Sequence, residues 1–214
     1  MTKHVKSFYG NISNALIENL KNKNIDATLC NNKDEARKIV LAMTEKESTV
    51  GYGGSSTLVE CGIIDSLRNN ENITLLDRDK PGLSTDEKLK LWDKALTCDF
   101  FLSGINAISL DGSLHFSDAN GNRVASVLFG PKKVVLVAGV NKICPDKDYA
   151  YKRVKFLGAG INGSRLNWEY PFKDDRNNTN LLDDSKFCAY HVRIDHNIKK
   201  DRIHVILVNE YLGF

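Results

Sequence analysis

Short apolar runs alternate with stretches of helical period along most of this chain, and that alternation restricts the fold more than any single motif does. IDATLC (25–30), STVGYG (48–53) and ITLL (73–76) read as strands. Between and after them, Ala36, Ile39, Val40 and Met43 recur at i, i+3, i+4, i+7, a second helix is predicted over about 57–68, and a third carries Leu89, Trp92 and Leu96 behind a capping box from Ser84 to Glu87. DFFLSG (99–104), KVVLVAGV (133–140) and RIHVILV (202–208) are apolar almost throughout, as strands covered on both faces must be. Strand and helix in repeated succession predict an α/β fold, a mainly parallel sheet flanked by helices, with KVVLVAGV near its centre.

Other segments depart from the alternation. Val5, Phe8, Ile12, Leu16 and Leu20 fall on one face of an amphipathic N-terminal helix (1–22) packed on the rest. INAISLDGSLHFSD alternates apolar and polar residues around Asp111-Gly112, which predicts a small inserted hairpin. VASVLF, after the Asn120-Gly121 turn, predicts a short helix, and Pro145-Asp146 opens another with Tyr149, Ala150, Val154 and Leu157 on its inner face. Residues 159–186, rich in Gly, Asn and Asp, are expected to be loops with little regular structure. At 214 residues without an internal repeat, the chain (1–214) is expected to form a single domain.

Composition narrows the function. With 42% hydrophobic and 27% charged residues, disorder, collagen and coiled coil are excluded. The 30 Lys and Arg against 27 Asp and Glu leave a scattered +3, which argues against nucleic acid as a partner. No apolar run approaches the roughly 18 residues of a membrane span, and MTKHVKSFYGNI lacks the apolar core of a secretory signal, so no membrane partner and a cytoplasmic location are expected. The five cysteines, Cys30, Cys61, Cys98, Cys144 and Cys188, are odd in number, far apart and form no CxxC, which predicts reduced thiols rather than a disulfide framework or a zinc site. The histidines read as surface or edge residues, no metal site is expected, and no GxSxG nucleophile motif occurs.

Three segments carry residues suited to chemistry. Gly51-Tyr52-Gly53-Gly54-Ser55-Ser56-Thr57 leaves a strand and enters a helix, where glycines let the backbone approach a ligand and free N–H groups attract an anion. It is neither a P-loop nor a GxGxxG fingerprint. A tight turn followed by a Thr57 to Glu60 capping box accounts for the same residues, so both readings stand, and Glu60 reads first as a cap and second as an acid or base. In the second segment Asp111 and Gly112 read as turn chemistry, whereas Asn122 and Arg123 follow the turn where a guanidinium could grip a carboxylate or phosphate. The third, Gly139-Val140-Asn141-Lys142, follows the most apolar strand. Ligands of open α/β sheets bind beyond the carboxyl ends of strands, which puts Asn141 and Lys142 beside a substrate, against the alternative of a solvated loop.

Taken together, GYGGSSTLVECGI, INAISLDGSLHFSDANGNRVASVLFGPKKVVLVAGVNKI and RIHVILVNEYLGF resemble the lactate-utilisation (LUD) domain family in the order and spacing of their GGSxT, DG, GNR, GPKKV and AGVNK elements. The resemblance covers nearly the whole chain. It implies a fold similar to the ribose-5-phosphate isomerase, glucosamine-6-phosphate deaminase and coenzyme A transferase group. Some members of the family act with iron–sulphur and flavin-like partner proteins in oxidising lactate to pyruvate, so other lactate-utilisation subunits are implied as partners. Longer members carry several cysteines in the final third that look like cluster ligands. This chain has only Cys188 after Cys144, so no iron–sulphur cluster is expected in it, and no other cofactor is assigned.

The resulting expectation is a cytoplasmic enzyme or enzyme subunit of lactate or carbohydrate metabolism that binds a small organic anion. Gly53, Gly54, Ser55, Ser56 and Thr57 would bind through backbone N–H and hydroxyl groups, Asn122, Arg123, Asn141 and Lys142 would add charge and hydrogen bonds, and Glu60 and Asp111 are the acid or base candidates. The three segments should then converge on one cleft at the carboxyl ends of the strands. Two alternatives stand: a non-catalytic sensor or assembly subunit of a redox complex, and, by fold analogy, an isomerase or transferase on phosphosugar or coenzyme A esters. A homo-oligomer is left open.

Because the cysteines are too dispersed to supply the thiolates of a typical cluster, the purified protein is expected to be colourless and to contain no stoichiometric iron. A visible charge-transfer band matched by iron analysis would overturn that.

Overall fold

The computed structural model describes residues 1–165 and 188–214. The chain runs α1 (Lys3–Lys21), β1 (Asp26–Cys30), α2 (Lys33–Met43), β2 (Thr49–Tyr52), α3 (Ser56–Glu60), α4 (Ile63–Arg68), β3 (Thr74–Leu75), α5 (Thr85–Ala95), β4 (Phe100–Gly104), β5 (Ala107–Ser109), β6 (Leu114–Asp118) and α6 (Asn122–Leu128). It continues through β7 (Lys133–Gly139), a 3-10 turn (Val140–Lys142), β8 (Ile143–Cys144), α7 (Lys147–Arg153), a π-helical turn (Val154–Gly158), α8 (Ala159–Arg165), β9 (Tyr190–Ile194) and β10 (Ile203–Val208). Among the described residues no helix is long and apolar enough to cross a membrane.

Among these residues the strands make two sheets. The larger has the order β1-β10-β7-β4-β2-β3, and every neighbouring pair is parallel. The apolar β7 sits inside it, between β10 and β4. Side chains on a strand alternate between faces, and here both faces are buried. On one face Val134, Leu136 and Ala138 of β7 and Ile203, Val205 and Leu207 of β10 pack with Leu16 and Leu20 of α1, Val124 and Val127 of α6, and Phe116 of β6. On the other, Val135, Val137, Ile206 and Val208 pack with Ala36 and Val40 of α2, Leu58 of α3, and Ile63, Ile64 and Leu67 of α4.

The hairpin of β5 and β6 forms as the Asp111-Gly112 turn predicts, and it does not stand alone. It is the middle of a second sheet of order β8-β5-β6-β9, with β8 parallel to β5 and β9 antiparallel to β6. Those outer strands come from distant parts of the sequence, and short edge strands carry little periodic signal of their own. Further differences have local causes. The helix expected over 57–68 is two helices, because Gly62 at φ 65° caps α4 and turns the chain between them. Of the supposed inner face of α7, Ala150 and Val154 are buried, while Tyr149 and Leu157 are exposed. Phe8 is likewise exposed, so the buried stripe of α1 lies in its second half. Residues 159–165, expected as loop, are helical, and the remainder of that stretch lies outside the described residues. His115, expected at the surface, is fully buried on β6, where Ser113 Oγ lies 3.1 Å from its Nε2, and burial pushes its imidazole down to about 4.

Arg202, immediately before β10, is buried and holds the C-terminal end of α6. Its Nη1 donates to the carbonyl of Val127 at 2.7 Å, Nη2 to Ser126 at 3.1 Å and Nε to Pro131 at 3.0 Å. These carbonyls have no helical partners, and the planar fork satisfies several at once. Arg202→Met is expected to lower the free energy of unfolding by on the order of 3 kcal/mol in a urea titration, and Arg202→Lys to recover only part, because a point ammonium cannot span the same set.

Candidate functional site

The parallel register brings the carboxyl ends of four strands to one edge: Tyr52 of β2 lies opposite Leu102 of β4, Gly104 opposite Val137 of β7, and Gly139 opposite Val208 of β10. The chain leaves this edge through Gly53–Ser55, Ile105–Asn106, Val140–Lys142 and the tail 209–214. Between these loops and the facing wall of β6, α6 and α8 lies a cleft of about 670 Å³. Its loops approach closely because glycines stand where they meet. A β-carbon at Gly104 would lie 2.6 Å from Ser55 Oγ, and one at Gly53 would lie 2.7 Å from Arg123 Cγ.

Gly54, Ser55, Ser56 and Thr57 all line this cleft, as do Glu60, Asn122, Arg123 and Lys142. Gly53 does not; it is buried beneath the Arg123 stem. The capping box expected from Thr57 to Glu60 is absent. Ser55 is the N-cap of α3, its Oγ accepting from Leu58 N at 3.3 Å. Thr57 is instead buried against Gly213, which has φ 56°, and Glu60 Oε2 accepts from Gly213 N at 3.0 Å. Glu60 therefore turns to the C-terminal tail and the cleft rather than back onto its own helix.

Arg123 rises from the first turn of α6 and is held on its far side. Nη2 donates to Asn106 Oδ1 at 2.9 Å and to the carbonyl of Ser117, and Nε lies 3.8 Å from Asp118 Oδ2. Its Nη1 makes no hydrogen bond among the described residues. Asp118 Oδ2 also accepts from Val124 N at 3.1 Å, capping α6. Asn141, expected to bind substrate, does not line the cleft. Its Oδ1 accepts from Leu212 N at 3.1 Å and its Nδ2 donates to the Gly213 carbonyl at 3.3 Å, so it ties the turn after β7 to the tail.

Lys142 is the unusual member. It is 1% exposed, at the end of the 3-10 turn, and its Nζ makes no hydrogen bond among the described residues. The ring of Phe214 lies 5.8 Å away. Burial pushes its ammonium down to about 7, Arg153 pushes the same way, and Glu60 opposes both.

Asp111, the other acid or base candidate, stands apart from the cleft. Burial raises its carboxyl, but hydrogen bonds from Ser109 and Ser113 and the pairing with Lys147 at 3.2 Å outweigh that and hold it well below the ordinary carboxylate range. It completes the turn of the second sheet. Among the described residues no three His, Cys, Asp or Glu side chains gather as a metal site would require.

Several cleft residues are absent from the sequence-based set. Asn106 joins two walls, its Oδ1 accepting from Ser117 N at 3.1 Å as well as from Arg123. Arg78 follows β3, stacks over Trp92 at 4.9 Å and lies 3.6 Å from Asp79. Arg165 reaches the cleft from α8, donating to Asn162 Oδ1 at 2.8 Å. The same strand-end rule that singles out Asn141 and Lys142 applies to Asn106 and Arg78, which follow β4 and β3.

A β-carbon at Gly54 would meet nothing within 4 Å, since it projects into the cleft. Gly54→Val is therefore expected to leave the unfolding free energy within about 0.5 kcal/mol of wild type, whereas Gly53→Ala, which collides with Arg123, should cost about 1–3 kcal/mol by urea unfolding.

A crystal structure of a DUF162 family protein from Deinococcus radiodurans is similar over 94% of this chain and 98% of that chain, with a TM-score of 0.52 and 12% identity. At that identity the likeness concerns the fold alone. The crystal structures of eIF2B beta and eIF2B delta from Chaetomium thermophilum each align with 54% of this chain and with 44% and 48% of their own, at 15% and 19% identity and TM-scores of 0.38 and 0.33. No curated protein matches the chain. The LUD domain model matches residues 14–208, from within α1 to the end of β10, and so takes in every wall of the cleft except the tail. The chain belongs to the LUD domain family.

Proposed function

We propose that this LUD domain protein binds a small organic anion in the cleft at the carboxyl edge of the parallel sheet, as a component of lactate or carbohydrate metabolism in the cytoplasm. Lys142 carries the reading. A buried cation is costly unless a partner offsets its lost hydration, and among the described residues no hydrogen bond does so for Lys142. An anion in the cleft would supply that partner. The lining favours negative charge, with Arg78, Arg123, Lys142 and Arg165 against Glu60, Asp79 and Asp118. A volume of about 670 Å³ suits a small molecule. Membership of the LUD domain family supports lactate and pyruvate as the first anions to test, with sugar phosphates and coenzyme A esters as the alternatives drawn from fold analogy.

The sign of the pH dependence follows from Lys142. Its folded value lies near 7, below the unfolded value of about 10.4, so the ligand-free fold gains stability as pH rises from about 7 toward 10. A bound anion raises the folded value and contributes most where the ammonium is charged, below about pH 7. In thermal shift at about pH 6, a ligand at about 100 times its dissociation constant should stabilise the fold by ~2.7 kcal/mol, and the effect should fade as pH rises through 8. Gly54→Val should abolish the shift while keeping the fold, and Lys142→Met should flatten its pH dependence. Absence of any shift with all four anion classes at that pH would sink the reading.

A further inference from the structure

Lys142 has a second chemical capacity besides charge. Its neighbour Arg153, from α7, is also buried and fixed: Nε donates to the carbonyl of Asn141 at 3.2 Å, and Nη1 donates to the carbonyl of Asn106. Neither cation forms an ion pair among the described residues. Arg153 thus anchors the turn that carries Lys142 while placing a permanent positive charge behind it. A lysine needed only to hold an anion works best as a hydrated, fully charged ammonium. A desolvated lysine beside a fixed second cation loses its proton readily and becomes a nucleophile. Burial and the Arg153 charge together push the Lys142 ammonium down to about 7, so it gives up its proton far more readily than an ordinary lysine.

We propose that Lys142 is a catalytic nucleophile that forms an imine with the carbonyl carbon of a 2-oxo acid held in the cleft. The inference rests on the cleft being an anion site, and it narrows the anion to one that carries a carbonyl beside its carboxylate. The Nζ lone pair attacks the carbonyl carbon, forming the C–N bond while the C=O π electrons move to oxygen. The two protons of the amine leave with that oxygen as water, and the C=N bond remains. Of the cleft's carboxylates, Glu60, held by Gly213 N–H, is the one that acts on Lys142, and it would relay those protons. The carboxylate of the acid stays on the cationic wall that includes Arg123.

Borohydride trapping tests this. The full-length protein is incubated with pyruvate and sodium cyanoborohydride, which reduces an imine to a stable secondary amine, and the product is read by intact mass and peptide mapping. Lactate, which has a hydroxyl where pyruvate has its ketone, is the control. The expected result is one adduct per chain, mapped to Lys142, forming faster as pH rises through about 7, with Glu60 and Arg153 the charged groups that act on Lys142. Lys142→Arg should lose the adduct, because it removes the nucleophile. Arg153→Met, a positioning change, should shift the pH profile of trapping upward. Lactate stabilisation without a pyruvate adduct in wild type would overturn the imine and leave the anion site standing. Adducts spread over surface lysines and persisting in Lys142→Arg would overturn it equally, and absence of both adduct and stabilisation would overturn the anion site as well.

Discussion

Burial of both faces of a parallel sheet governs the rest of this molecule. Parallel strands need crossover connections, and those crossovers cover the sheet with helices or further strands, which leaves its edges as the places where polar backbone can meet water or a ligand. Here α2, α3 and α4 cover one face, while α1, α6 and the second sheet cover the other. With every strand of the larger sheet running the same way, the four loops that leave β2, β4, β7 and β10 emerge together. The cleft is a consequence of that geometry.

Convergence alone would give a soft cluster of loops. Polar cross-links between them make a shaped one. Asn106 bonds the end of β6 and Arg123, Arg153 bonds the carbonyls of Asn106 and Asn141, and Asn141 bonds the tail that closes over Thr57 and Lys142. Each places a buried or half-buried donor or acceptor against a partner from another segment, as removal from water favours. Against this background the ammonium of Lys142 stands out, since among the described residues it is almost fully buried with no hydrogen bond.

The same accounting separates side chains that build from those left for chemistry. Asp111, Asn141 and Asp118 fall on the building side, engaged respectively in a turn, a tail clamp and a helix cap. Arg202 belongs with them, and so does His115, a neutral imidazole in the second sheet rather than a surface residue. Gly54, Lys142 and Glu60 border the cavity with atoms not wholly committed elsewhere.

The sequence by itself determined the strands and helices of the larger sheet, because two-residue and 3.6-residue periodicities are local properties of a chain folding against one core. It also located the cleft in outline: Gly54, Thr57, Arg123 and Lys142 are legible from strand ends and glycine turns. Only the tertiary structure decided the second sheet, whose β8 and β9 are recruited from far along the chain, and the partners of each polar side chain. Whether Asn141 faces substrate or the tail, whether Ser55 or Thr57 caps α3, and whether Lys142 is solvated or buried all depend on which distant segment lies opposite. Sequence spacing carries no record of that, because a hydrogen bond across 70 residues is set by packing of the whole core and not by the residues between.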